Sequence, residues 1–181
     1  MSDAYKIANQ SNCYYLTFQI VDWVDIFTRE IYRKIILDSF SYCRKNKGLN
    51  IWSYVIMSNH VHCILSSSKN NLSDIIRDFK SYTAKEVIKA MEKGESRKNW
   101  ILKRFEFKAR SNVRDSNFQI WTNDNHAIEI DSTFLFNQKM SYIHLNPVRA
   151  GLVENAEDWL CSSQRNYSGL KALIEIDISD L

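Results

Sequence analysis

The sequence predicts an α+β fold, and three observations carry that expectation. β-branched and aromatic runs have strand length, two stretches carry apolar residues at helical spacing, and a short polar break joins two of the runs as a hairpin. Across 181 residues, 45% are hydrophobic and 13% aromatic, with one proline and four glycines, so the chain can bury one proper core and does not resemble a linker or a disordered segment. One domain is expected over 1–181, with a core at about 13–153 and a C-terminal tail at 154–181.

Residues 13–21, CYYLTFQIV, alternate around Tyr15, Thr17 and Gln19 and read as the first strand. From Thr28, read as an N-cap, Ile31, Ile35, Ile36, Phe40 and Cys43 recur at helical spacing until Lys47 and Gly48 supply a basic last turn and a C′ glycine. Residues 50–57 and 61–66 are strand-like and flank Ser58, Asn59 and His60, which predicts a hairpin. A second helix starts near Ser73, carries Ile75, Ile76, Phe79, Val87, Ala90 and Met91, and ends before Gly94. Residues 117–121, NFQIW, suggest a further short strand. Ser132 or Thr133 can cap a third helix, expected to stop near Asn146 because Pro147 disfavours helical geometry in the residue before it.

The formal net charge of +3 decides nothing as a total. Residues 69–110, however, hold twelve Lys and Arg against six Asp and Glu, a local charge of +6, while the remainder nets −3. Trp100, Phe105, Phe107, Phe118 and Trp121 stand within or just after this stretch. Cations for phosphates are thus interleaved with rings for unpaired bases, a pattern that a solvated helix face above a core would share. Cys13, Cys43, Cys63 and Cys161 form no C-x-x-C pair and sit in apolar stretches, which suits a reducing compartment. No apolar run approaches a membrane span and the first residues lack a secretory pattern, so the expected location is the cytoplasm, with no membrane partner.

His60 and His62 flank Val61 at the entry to an apolar strand. Residues two apart project from the same face, so the two imidazoles can grip one metal ion while Val61 enters the core. The same spacing also suits a pair of hydrogen-bonded, half-buried imidazoles, and other metal folds use it. In the third helix, Tyr142 and Asn146 lie about 40° apart on one face, whereas His144 lies about 200° from Tyr142. A tyrosine aimed at a metal can attack a phosphodiester and keep the bond energy in an aryl ester, and Asn146 can add an amide oxygen to the metal. A core tyrosine and a C-terminal asparagine cap would fit the same positions.

YVIMSNHVHCIL at 54–65, followed some eighty residues later by YIHLNPVRAGLV at 142–153, resembles the single-tyrosine HUH transposases of the insertion-sequence type, most of all their REP-associated tyrosine transposase branch. The likeness spans roughly 13–168 and includes YYLTF, QIW and SSQRNY at 162–167. It implies a ferredoxin-like sandwich with a central antiparallel sheet. It also implies a divalent metal, Mg²⁺ or Mn²⁺, on His60 and His62, Tyr142 as nucleophile, and Asn146 where the wider family often has Gln. The implied activity is cleavage and rejoining of single-stranded DNA at a hairpin or palindromic repeat through a 5′-phosphotyrosine, by a monomer or a homodimer.

Ser58 stands where that family commonly has Pro, and the segment 92–116 is longer and more basic than the family needs. The residues expected to contact DNA are Lys80, Lys98, Lys103, Arg104, Lys108, Arg110, Trp121 and Arg149. His126 is expected to orient a loop or pack on the sheet. Two other readings remain open: a protein of this descent that binds structured single strands without cutting them, and an H-x-H metal oxidoreductase.

Overall fold

A computed structural model describes residues 7–110 and 117–178. Residues 1–6 and 179–181 of the expected domain, and the 111–116 end of the basic segment, lie outside the described residues.

Strand β1 (Tyr14–Gln19) passes through two 3-10 turns into helix α1 (Glu30–Lys47), the hairpin β2 (Leu49–Ile56) and β3 (His60–Ser67), and helices α2 (Leu72–Glu92) and α3 (Lys98–Arg110). The short strand β4 (Ile128–Glu129), helix α4 (Thr133–Arg149) and the single turn α5 (Gln164–Tyr167) follow. The sheet order is β2-β3-β1-β4 with every pair antiparallel. A β-α-β-β-α-β succession with this sheet order is the ferredoxin-like arrangement, here with α3 inserted before β4, so the expected fold class is the one found.

Strand alternation divides the molecule into two layers. Tyr14, Leu16 and Phe18 of β1 and Val61, Cys63 and Leu65 of β3 meet the helix pair α1 and α2, where the Phe40 and Phe79 rings stack at 4.7 Å. The opposite face carries Tyr15, Val55 and Ile64 and is covered by α4 through Phe136 and Ile143. The tail closes the outer edge of β2: the Asp177 carboxylate accepts the Ile51 N–H at 2.8 Å and pairs with Arg44 at 3.0 Å, while Ile51 C=O accepts the Asp177 N–H at 2.8 Å. An edge occupied in this way offers less backbone to another chain.

Several sequence expectations need correction. Thr28 ends a 3-10 turn and its hydroxyl donates to Asp25 C=O, so α1 starts at Glu30 with Arg29 in the N-cap position and no side-chain cap. Ile31 is exposed, and Tyr32 and Leu37 take the core positions. His60 belongs to β3 rather than to the break before it. Residues 117–121 form no strand; Trp121 makes an isolated bridge to Ile20. Helix α4 runs to Arg149 with Pro147 inside its last turn, where the missing N–H removes one hydrogen bond and the helix continues for only two more residues.

Gly48 closes α1 at φ +78°, and a Cβ there would lie 2.7 Å from Ser68 Oγ. Gly48→Ala is therefore expected to combine left-handed strain of about 1 kcal/mol with that clash, lowering Tm by about 3–8 °C in a calorimetric scan. An unchanged Tm would show that the turn can relax out of this conformation.

Candidate active site

The pleat of β3 sends His60 and His62 to the face opposite the fully buried Val61, with their ring centroids 4.5 Å apart. Each ring is oriented from its Nδ1. In the tautomer that leaves Nε2 unprotonated, His60 Nδ1–H donates to Asn59 Oδ1 at 2.7 Å, and His62 Nδ1–H is shared between the Tyr15 and Thr17 oxygens, both at 2.9 Å. The Tyr15 ring also stacks on His62 at 5.6 Å. Among the described residues neither Nε2 has a hydrogen-bond partner. Burial lowers both imidazole pKa values, that of His62 to about 3 with help from the nearby His60, His126 and Lys139. Both rings are thus neutral near pH 7, the form that ligates metals.

Helix α4 supplies the rest. Ser132 caps it by accepting the Leu135 N–H at 3.3 Å, and Phe136, Ile143 and Pro147 turn inward. This rotation presents Tyr142 and Asn146 to the histidines. The Tyr142 ring meets His62 edge-on at 5.4 Å and is 38% exposed, and Arg149 lies over it at 5.4 Å. His144 points the other way, as its angle on the helix predicts. Its Nε2 sits 3.1 Å from Ser53 Oγ and 2.8 Å from Ser163 Oγ, and the latter accepts the Tyr54 N–H at 2.9 Å. A buried polar knot therefore ties the tyrosine helix to β2 and to the tail.

These groups enclose a cavity of about 560 Å³ lined by His60, His62, Tyr142 and Asn146, with Thr17, Gln19 and Trp23 on one side and Thr122, Asp124 and His126 on the other. No cluster of three His, Cys, Asp or Glu side chains able to hold a metal exists among the described residues. Two oriented, neutral imidazoles and the Asn146 amide do fit a divalent ion that takes its remaining ligands from water or substrate oxygens.

The other residues expected to contact DNA divide. Lys98, Lys103, Arg104, Lys108 and Arg110 lie on α3, a helix the sequence reading did not anticipate. Arg104 pairs with Asp22 at 3.3 Å and stacks on Trp100 at 4.6 Å, and Arg110 pairs with Glu106 at 2.6 Å. Lys80 is built into the structure: its ammonium donates to Thr122 C=O at 2.8 Å and Asn125 Oδ1 at 2.6 Å, holding the loop that carries His126. Trp121 is 5% exposed and packs against Phe18, Phe27 and Phe79, with its N–H donated to Thr83, so it presents no face to a base.

The sequence reading passed over Tyr15, Thr17 and Gln19 as site residues, although their period-two alternation carries the signal once β1 is paired with β3. Trp23 and Asp124 join the lining with no mark in the sequence, and His126, expected to orient a loop or pack on the sheet, lies in the lining too. His126 lies at φ +43° with its N–H donated to Asp124 Oδ1 at 2.7 Å, and it faces the cavity.

A family described as "Transposase IS200 like" matches residues 9–133, a span that contains both histidines and ends before Tyr142. No curated protein matches the chain. Among solved structures, the chain resembles a REP-associated tyrosine transposase bound to a REP hairpin, with a TM-score of 0.59 and 18% identity over 100% of this chain and 95% of that one. It also matches a candidate transposase from Deinococcus radiodurans R1 at a TM-score of 0.43 and 16% identity, over 79% of this chain and 95% of that one. The first of these likenesses establishes the fold.

His144 gives the knot a pH signature. Burial lowers its pKa to about 4, below the 6.5 of an exposed imidazole, so the unfolded chain takes up a proton first as pH falls. The stability this group contributes is complete above pH 6.5 and is lost on the way down to pH 4, at roughly 1.4 kcal/mol per pH unit. Between pH 7 and pH 5 the wild type should lose about 2 kcal/mol more than His144→Gln, measured by urea unfolding. Equal losses would place His144 in water.

Proposed function

Because this chain belongs to the IS200-like transposase family, we propose that it cleaves and rejoins single-stranded DNA at hairpin or palindromic repeats, using Tyr142 as nucleophile and a divalent ion, Mg²⁺ or Mn²⁺, on His60, His62 and Asn146. The family is one of DNA-processing enzymes. The observation that carries the finer reading is the presentation of the Tyr142 ring 5.4 Å from His62, in one cavity with His60 and Asn146, while the neighbouring His144 is buried elsewhere.

The phenol oxygen of Tyr142 attacks the phosphorus, and its bond forms as the bond to the 3′ oxygen breaks. The proton lost by the phenol is matched by the one the departing 3′ oxygen takes up. The 5′-phosphotyrosine keeps the bond energy, so a 3′-hydroxyl can reverse the step and rejoin strands without a nucleotide cofactor. A bound divalent ion would offset the charge that builds on the phosphate oxygens. Tyr15 and Thr17 hold the His62 ring from its Nδ1, Asn59 does the same for His60, and the His144 knot fixes the rotation of α4. Tyr142 reaches the histidines of its own chain, which supports cleavage by a monomer.

The solved protein of the same fold is bound to a REP hairpin, which supports hairpin DNA as the partner here. A labelled single-stranded hairpin should become covalently attached to the protein in Mn²⁺ or Mg²⁺, and Tyr142→Phe should form no adduct. An adduct on Tyr142→Phe would move the nucleophile elsewhere. Independently of activity, calorimetric titration should find one Mn²⁺ bound by the wild type and none by His62→Ala. Equal Mn²⁺ binding by both would remove His62 from the ligand set.

A further inference from the structure

Between β1 and α1 the chain makes a strained turn. Asp22 and Trp23, neither of them glycine, both adopt left-handed geometry, with φ 53° and 56°. Such geometry is unfavourable for residues with a Cβ, and strain of this kind persists only where its surroundings impose it. Here they do. Ile20 N–H donates to Asn59 C=O at 2.9 Å and Val21 N–H to Ile120 C=O at 2.8 Å, while the Asn59 amide donates to Trp23 C=O at 3.2 Å. Arg104 holds Asp22 at 3.3 Å, and Ile20, Val21 and Val24 are buried on either side.

The result is an indole that the turn drives outward. Trp23 is 67% exposed, yet it lines the cavity and meets the His60 ring edge-on at 6.4 Å. An exposed indole contributes little to a core, so packing does not account for strain at this position. Its place beside the imidazoles does: a nucleotide whose phosphate sits at His60 and His62 brings a neighbouring base to the cavity rim.

We propose that Trp23 is a stacking platform for the unpaired nucleobase next to the phosphate held at His60 and His62. This rests on the reading of that cavity as a phosphodiester site. Stacking on an aromatic side chain tolerates any base, because every base has a π-face. Trp23 thus fixes the strand's position in the cavity without selecting its sequence, and the Asp22–Arg104 pair holds the turn in place.

The test is equilibrium binding in EDTA, where no cleavage occurs, using a fluorescein-labelled twelve-residue oligothymidylate and an abasic oligomer of the same length and charge. The wild type should bind oligothymidylate more tightly than the abasic strand. Trp23→Ala should weaken oligothymidylate binding by about tenfold and leave the abasic strand unchanged, and Trp23→Phe should restore most of the loss. Equal binding of oligothymidylate by wild type and Trp23→Ala overturns the platform, even if hairpin cleavage on Tyr142 is intact. A loss confined to oligothymidylate in a protein that cleaves nothing upholds the platform and overturns the cleavage reading. Binding of neither strand by the wild type overturns the platform, while the cleavage reading, which takes a hairpin and a divalent ion, is decided by the adduct on Tyr142.

Discussion

The facing of both imidazoles into the cavity depends on the register of β3. In the observed pairing, His60 lies opposite Gln19 and His62 opposite Thr17, while Val61, Cys63 and Leu65 enter the core under α1 and α2. A slip of one residue would exchange these sets. Two imidazoles would then lie in a dry core, at about 1–3 kcal/mol for each group left unpaired, and Val61 and Leu65 would surrender about 1.5–3 kcal/mol each by leaving it. That sum rivals the roughly 5–15 kcal/mol by which a whole domain is stable, so the register cannot drift. The ladder that builds the sheet is also what orients the site, because Tyr15 and Thr17, which hold the His62 ring, are neighbours of that histidine across the strand pair.

Helix α4 poses the same problem in rotation rather than translation. Its apolar contacts, Phe136 and Ile143, would tolerate a modest twist, since apolar packing is not directional. The His144 knot is directional. It requires one imidazole nitrogen to reach two hydroxyls, one from β2 and one from the tail, and it leaves Tyr142 and Asn146 on the cavity side. The tail is therefore part of how the site is set. Ser163 links the helix to the backbone of Tyr54, and the short run SSQRNY lies where this link is made.

The fold was legible where local chemistry and tertiary structure agreed. Gly48 at the end of α1, the hairpin turning at Ser58 and Asn59, and Ser132 of the two cap candidates at the start of α4 are local signals that survive in the structure, with His60 alone moving from the break into β3. The common facing of His60 with His62 and of Tyr142 with Asn146 follows from periods of two and 3.6 and needs no tertiary information. The failures were of another kind. Trp121 looked available because it stood beside a basic run, but burial is a property of the assembled sheet, and a cage of three phenylalanines enclosed it. Pro147 biased its predecessor away from helix, and the packing of α4 overrode that bias in the last turn. The left-handed pair at Asp22 and Trp23 carries no sequence mark, since neither residue is glycine and the contacts that impose the turn come from Asn59, Arg104 and Ile120.

The charge distribution acquires a different meaning once the pairs are placed. The excess of cations over residues 69–110 is partly consumed by acids outside that segment, since Arg97 pairs with Asp25 and Arg104 with Asp22; Arg110 with Glu106 and Arg77 with Asp74 and Asp78 pair within it. The His60–His62 pair is neutral rather than cationic near pH 7, because burial lowers both imidazole pKa values. Neutral imidazoles cannot attract a phosphate by charge, and hydrogen bonds to neutral groups are the weaker kind. They can donate lone pairs, and their Nδ1 atoms are already engaged on the sheet side. The same desolvation that would make the pair a poor counter-ion makes it a good ligand set, which is why it suits a divalent cation better than a direct contact with an anionic strand.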